Sequence, residues 1–153
     1  MSTLVRRVLA ATLLLALVVV SAAAAAGGAR KDSGTAWLSA NHMEGGLVVV
    51  SGDIKSKVLG RGALVYRVKA TGDANGSIKV TSNSVTVYTP AGSLSGTGFA
   101  TQTTDAAGNT MVTDGHITLN KGTGKLKGHS LTATFSGPLK DNVYTFTYQG
   151  TYR

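Results

Sequence analysis

The sequence has few of the residues that stabilise small proteins through covalent or metal chemistry. Its 153 positions include no cysteine, two prolines, nine aromatic residues and 14% charged residues. The lack of cysteine excludes a disulfide framework, a cysteine-ligated zinc or iron–sulfur centre and a thiol nucleophile. With 42% hydrophobic residues the chain is not a disordered polyelectrolyte, and its length leaves no room for a second large domain. A single core and its backbone hydrogen bonds must therefore stabilise the fold.

The first 26 residues have the composition of an export signal. Arg6 and Arg7 precede an apolar run over residues 8–20, and residues 21–26 (SAAAAA) offer small side chains for cleavage. This order predicts a signal peptide over residues 1–26 and a secreted or extracytoplasmic protein. A retained membrane anchor is the alternative, although a spanning helix needs about 20 apolar residues. Cleavage would leave no membrane span, and it would lower the formal net charge from +8 to +6 by removing the two arginines.

The rest of the chain has the pattern of an all-β domain. Residues 27–35 (GGARKDSGT) are polar and aperiodic, which indicates a flexible leader. Over residues 36–153, β-branched and aromatic runs alternate with turn sequences, including the Asn-Gly pair in residues 72–76. The alternation changes parity at residues 82–84, which predicts a bulge or a turn there. Strands are also expected over residues 125–136 and 143–152, with a turn over residues 137–142.

Roughly eight strands fit into this length, and they favour a small antiparallel eight-stranded β-barrel over a two-sheet sandwich. Tyr144, Phe146 and Tyr148 share one face of the last strand, and threonines share the other. Glycines inside strands, such as Gly115, are expected to allow curvature or to make room for a bulky neighbour.

Several glycine-rich segments carry a family resemblance. Residues 114–128 contain Gly122-Thr-Gly-Lys-Leu-Lys-Gly128, residues 92–98 read GSLSGTG, and residues 131–137 and the terminal strand continue the rhythm. The chain resembles the bacterial secreted members of the allene oxide cyclase and dirigent-like barrel group. The resemblance implies an eight-stranded antiparallel barrel whose lumen accepts a hydrophobic small molecule. It also implies an isomerase or a protein that steers radical coupling as one possible activity, but no catalytic position of the family is matched here.

The candidate ligand-binding residues come from two patterns. Aromatic side chains on alternating strand positions either form plain core or line a mostly apolar site. Asp114 and His116 lie two apart on a predicted strand, so that the carboxylate would orient the imidazole, or both would simply face solvent. The predicted ligand-binding set is Tyr66, Phe99, Asp114, His116, Tyr144, Phe146 and Tyr148. We expect no catalytic residue, no cofactor and no metal, because the three histidines His42, His116 and His129 lack metal-site spacing.

The basic residues cluster at two turns. Lys55, Lys57 and Arg61 surround one turn, and Lys121, Lys125 and Lys127 surround another. These clusters either meet anionic envelope polymers or lipid headgroups, or only keep the turns solvated. No nucleic-acid partner is expected, because aromatic and basic residues do not interleave. The sequence thus favours a non-enzymatic barrel that binds a hydrophobic small molecule. A cell-envelope protein that binds anionic polymer, and an enzyme of the barrel group, are the alternatives.

Overall fold

Antiparallel strands make up nearly all of the described chain. The computed structural model describes residues 28–153, and the predicted signal peptide lies outside the described residues. The strands are β1 (Arg30–Glu44), β2 (Leu47–Ser56), β3 (Gly60–Gly72), β4 (Ile78–Thr89), β5 (Gly92–Thr104), β6 (Thr110–Gly122), β7 (Leu131–Lys140) and β8 (Val143–Tyr152). Each strand pairs with the next, and β8 pairs with β1 to close a barrel. The predicted eight-stranded antiparallel barrel is confirmed, and the two-sheet alternative is excluded.

Period-2 alternation places one face of every strand in the interior. In β8 the side chains of Phe146, Tyr148 and Tyr152 are buried, whereas Thr147 and Gln149 are exposed. The buried apolar side chains form one continuous core: Ala36, Leu38, Val50, Ile54, Leu64, Val68, Val85, Val87, Leu94, Ala100, Val112, Leu119, Leu126, Leu131, Ala133, Phe146, Tyr148 and Tyr152. Closure leaves no unpaired strand edge, which removes a common route to aggregation.

The first strand begins earlier than the sequence predicts. β1 starts at Arg30, so residues 30–35 are strand, and the expectation of a flexible leader through residue 35 is corrected. Its inward positions before residue 36 are Asp32 and Gly34, neither of which is apolar. A hydrophobicity pattern therefore does not show that these positions face inward, although every second residue of this part of β1, through Ala36 and Leu38, does so.

The segment before the last strand is also corrected. In place of a strand over residues 125–136, a 3-10 turn spans Gly124–Leu126 and β7 runs over Leu131–Lys140. The predicted turn over residues 137–142 shrinks to Asp141 and Asn142, both of which have positive φ angles. Within residues 28–153, no helix has the length and apolarity that crossing a membrane requires.

Bulges redirect the strands at several points. The register of β4 against β5 shifts between Ser82 and Val85, which confirms the predicted irregularity at residues 82–84. A second bulge lies in β6 between Val112 and Gly115, where Asp114 has a φ of 50°. Gly115 faces inward here, and a Cβ atom at this position would approach the Phe135 ring to 2.6 Å. This glycine makes room for a bulky neighbour, as expected, but that neighbour is its partner on the adjacent strand β7 and not a residue across the lumen.

The two ends of the barrel differ. The closed end carries the turns after β2, β4 and β6, together with the start of β1 and the end of β8. The 3-10 turn plugs it: the Lys125 N–H donates to the Ala91 carbonyl over 2.8 Å, and Leu126 is buried in the core. Fully buried leucines, Leu94, Leu119 and Leu131, lie in the strands that adjoin this plug. The open end carries the turns after β1, β3, β5 and β7.

Candidate functional site

An apolar cavity of about 230 Å³ lies inside the barrel and extends toward the open end. The exposed residues Ala40 and Ala70 belong to its lining, so the cavity reaches the surface at this end. The residues that line the cavity come from all eight strands and include Val50, Leu64, Val80, Val112 and Phe146. Among residues 28–153, no acidic, basic or histidine side chain lines the cavity. Its polar groups are three tyrosines, Ser82 and Gln102.

Tyr66 is the polar group of the cavity whose hydroxyl has no hydrogen bond to another of the described residues. It lies on β3 opposite Val50 and Val85, and it belongs to the cavity lining. Burial raises the pKa of its hydroxyl well above the ordinary value of 10.0, and the nearby Tyr144 adds to the effect. No group within residues 28–153 forms a hydrogen bond with this hydroxyl, and the hydroxyl oxygen keeps some accessible surface. It is therefore free to bond a molecule inside the barrel.

Tyr144 and Gln102 form a second polar point in the cavity. The Tyr144 hydroxyl donates a hydrogen bond to the Gln102 Oε1 over 3.1 Å, across strands β8 and β5. Partial burial raises the pKa of Tyr144 above its ordinary value. The Gln102 side-chain amide nitrogen remains available as a donor, because Gln102 appears in this bond only as an acceptor. The pair thus offers a donor at a fixed position.

Tyr148 connects the cavity with a buried carboxylate. Asp32 is 2% exposed, and its Oδ2 accepts a hydrogen bond from the Tyr148 hydroxyl over 3.1 Å. The Ser56 hydroxyl lies 2.8 and 2.9 Å from the two carboxylate oxygens, and the backbone N–H groups of Ser33 and Val58 donate to Oδ1 over 2.8 and 3.1 Å. Burial raises the pKa of Tyr148, and the Asp32 charge also raises it. This network ties β1, β8 and the turn after β2 together at the closed end.

The seven residues predicted to bind ligand divide into two groups. Tyr66, Tyr144, Phe146 and Tyr148 line the cavity together. Phe99 also belongs to the cavity wall, but the residue is 55% exposed, and its ring stacks on His116 with 4.8 Å between the ring centroids. The inward positions beside it are Gly98 and Ala100, which have little or no side chain.

Asp114 and His116 both lie on the outer wall of β6. The bulge at Asp114 interrupts the simple alternation expected for this strand, and both side chains are exposed. They border a shallow groove of about 870 Å³ that crosses the outside of β1, β2, β6, β7 and β8. Hydroxyl and amide side chains line most of this groove, with Lys55 and Lys57 at another edge. It is broad and open to solvent, so the interior cavity is the better-defined site.

Sequence reasoning missed Asp32 and Gln102. Asp32 was assigned to a leader, although its two-residue spacing from Gly34 and Ala36 is the signal that places it inside. Gln102 lies on β5, whose inward positions are mostly small. Within residues 28–153, no group of three or more histidine and acidic residues is arranged to hold a metal ion.

Comparison with known proteins gives no further assignment. No family model, no curated protein and no solved structure matches this chain. We therefore infer the function from the cavity and from the barrel surface.

Proposed function

We propose that this protein is an exported, non-enzymatic barrel that binds a small, mostly apolar molecule in its interior cavity. The observation that carries the proposal is an apolar cavity, open at one end, whose lining includes the Tyr66 hydroxyl, and this hydroxyl has no hydrogen-bond partner among residues 28–153. Enclosed apolar cavities with a few placed polar groups are the usual form of small-molecule sites. The resemblance to the allene oxide cyclase and dirigent-like group supports the same proposal, since it implies a lumen for hydrophobic molecules.

The cavity volume limits the ligand to a small one. A cavity of about 150 Å³ accepts benzene. The cavity described here, at about 230 Å³, suits a bicyclic aromatic molecule or a short branched alkyl chain. A long fatty acyl chain would need a wider opening or a partial fit.

The polar groups select for one or two hydrogen-bonding atoms on that ligand. Tyr66 can donate to or accept from a ligand hydroxyl or carbonyl, and the Gln102 amide can donate to a second oxygen. A ligand that leaves Tyr66 unpaired forfeits a bond in an environment of low dielectric, where such bonds are strongest. We therefore expect phenols or small ketones to bind more tightly than hydrocarbons of the same size.

The arrangement favours binding over catalysis. Proton transfer needs a titratable group within hydrogen-bonding distance of the substrate. The carboxylate nearest the cavity, Asp32, lies behind Tyr148 and already accepts bonds from four residues. Tyrosines with raised pKa values are poor bases near neutral pH. An isomerase or coupling-steering activity of the barrel group therefore has less support than simple binding.

The proposal is tested with naphthalene and 2-naphthol as probes, which differ only by one hydroxyl. We expect Val80→Phe, which fills the cavity near its opening, to weaken the binding of both probes at least tenfold. The adjacent Lys79 is exposed and faces outward, so Lys79→Phe adds the same ring outside the cavity and should change affinity less than twofold. Equal effects of the two variants, or no binding of either probe, would reject the cavity as the site.

A second variant tests the polar contact. Tyr66→Phe removes only the unpartnered hydroxyl, so we expect about a tenfold loss of 2-naphthol affinity, which corresponds to one hydrogen bond. Naphthalene affinity should change less than twofold. Tyr88→Phe is the control, because Tyr88 is 52% exposed on the outer wall. Native mass spectrometry of protein from its own host would then identify any molecule that co-purifies.

A further inference from the structure

Nine basic side chains gather at the closed end of the barrel. They come from the start of β1, the turn after β2, the turn after β6 and the end of the chain, and all are exposed. They are Arg30, Lys31, Lys55, Lys57, Arg61, Lys121, Lys125, Lys127 and Arg153. The two lysine clusters that are far apart in the sequence thus become one cationic surface, which we call the basic end.

The opposite end has a balanced charge. Glu44, Asp73, Asp105 and Asp141 lie at or beside the turns of the open end, where Arg67, Lys69, Lys79 and Lys140 also lie. Among residues 28–153, the one salt bridge joins Arg67 to Glu44. Toward the basic end there are two acidic side chains: Asp32, which is buried and bonded inside the wall, and Asp53, which is exposed on β2 two residues before Lys55. The charge of the described chain is therefore strongly polarised along the barrel axis.

The basic end is held rigidly by the fold. The Thr123 N–H donates to the Ser93 carbonyl over 2.9 Å, which fixes the lysine-rich turn after β6 against the start of β5. Ser130 and Arg153 exchange two backbone hydrogen bonds of 2.9 and 3.0 Å. The Arg30 guanidinium lies 5.3 Å from the centre of the Tyr152 ring. Because these backbones are already ordered, binding an anionic partner orders little besides the lysine side chains.

We propose that the basic end docks on an anionic lipid surface. The strand spacing and tilt of an eight-stranded barrel make its end roughly 16 Å across. Cations spread around such an end can all contact a flat membrane surface at the same time. A linear polymer would contact only the cations that lie along its path. The chain also enters the barrel at this end, and only residues 21–29 separate it from the apolar run of residues 8–20. Nine residues span at most about 30 Å, so export brings this end close to the membrane.

The test measures binding of the full chain to vesicles. Each cation near an anionic membrane contributes about a fivefold factor to partitioning. We expect the chain to bind vesicles of phosphatidylcholine and phosphatidylglycerol (7:3) at least tenfold more tightly than pure phosphatidylcholine vesicles in 50 mM salt. This preference should disappear in 500 mM salt, because the longer-range attraction is screened.

Two charge-reversal variants with the same net charge locate the surface. The triple variant Lys121→Glu, Lys125→Glu and Lys127→Glu alters the basic end, and we expect it to weaken binding to the anionic vesicles about a hundredfold. The matched variant Lys69→Glu, Lys79→Glu and Lys140→Glu alters exposed lysines in the open half, and we expect less than a threefold effect. Any binding through the apolar N-terminal run is common to both variants and cancels in the comparison.

Three results would overturn the proposal. Equal losses in the two triple variants would show that net charge, not the basic end, controls binding. Equal binding to anionic and neutral vesicles, together with no loss of binding in the variant of Lys121, Lys125 and Lys127, would show that charge is irrelevant. Binding to soluble polyphosphate that depends on Lys121, Lys125 and Lys127, without a preference for anionic vesicles, would assign the basic end to an anionic polymer.

Discussion

Replacing Asp32 with alanine should destabilise the barrel more than replacing any exposed acidic residue. The substitution leaves the Ser56 and Tyr148 hydroxyls and the Val58 N–H without their acceptor. Ser56 is only 6% exposed, so water cannot readily replace the lost carboxylate. An unsatisfied buried donor costs about 1–3 kcal/mol, and part of the loss is relieved when hydroxyls reorient. We expect the free energy of unfolding to fall by about 3–5 kcal/mol, a large part of the 5–15 kcal/mol typical of a domain.

The measurement is urea unfolding followed by far-ultraviolet circular dichroism. Asp53→Ala is the control, because Asp53 is an exposed carboxylate on the neighbouring strand and should change stability by about 0.5 kcal/mol or less. Tyr148→Phe removes one of the bonds to Asp32 and should cost about 1–2 kcal/mol. The double variant should then lose less than the sum of the two single losses, because both remove the same contact.

A small effect would refute this reasoning. If Asp32→Ala unfolds within about 1 kcal/mol of Asp53→Ala, the network does not stabilise the closed end. If the losses from Asp32→Ala and Tyr148→Phe are strictly additive, the 3.1 Å contact between them contributes nothing measurable.

Three further predictions concern pH, packing and the plug. Unfolded tyrosines lose their protons near pH 10.0, whereas Tyr66 and Tyr148 hold theirs to higher pH in the fold. Above pH 10 the folded state therefore binds more protons than the unfolded state. Urea titrations should show the free energy of unfolding falling there by up to about 1.4 kcal/mol per pH unit for each tyrosine, with no such trend below pH 10. Tyr66→Phe should remove the part of this slope that Tyr66 contributes. Gly115→Ala should cost about 2 kcal/mol or more in thermal unfolding, because the new methyl group meets an aromatic ring and a backbone oxygen, while Gly72→Ala, which meets nothing within 4 Å, should be nearly neutral. Leu126→Ala should cost about 2–5 kcal/mol, because this buried side chain plugs the closed end, and equal stability of variant and parent in urea would contradict that role.

The sequence predicted the barrel where side chains carry the alternation. Tyr144, Phe146 and Tyr148 repeat with a period of two, and their strand and their inward direction are confirmed. The same method failed at β1, because Asp32 and Gly34 occupy inward positions without apolar side chains. The polar side chain of Asp32 belongs to a buried hydrogen-bond network. A prediction from hydrophobicity alone takes such a polar stretch for a flexible segment.

Long-range geometry accounts for the rest. Sequence spacing could not show that Phe99 stacks on His116 outside the barrel, because their pairing depends on a bulge in β6 that shifts the register between this pair and the pair Thr101–Thr113. Nor could it show that Lys57 and Lys125 share one end, since that follows from the order of the turns around the closed sheet. Local patterns thus predicted the elements, whereas the topology decided which side chains meet.

The pairing of the first strand with the last has a consequence for how this protein is made. Arg30 aligns with Tyr152 and Leu38 with Tyr144, so the seam joins residues more than a hundred positions apart. A ribosome or a translocation channel that still holds the final eleven residues also withholds the whole of strand β8. Until those residues emerge, β1 and β7 each keep an unpaired edge. The pairing of β8 with these two strands is therefore among the last events of folding during synthesis.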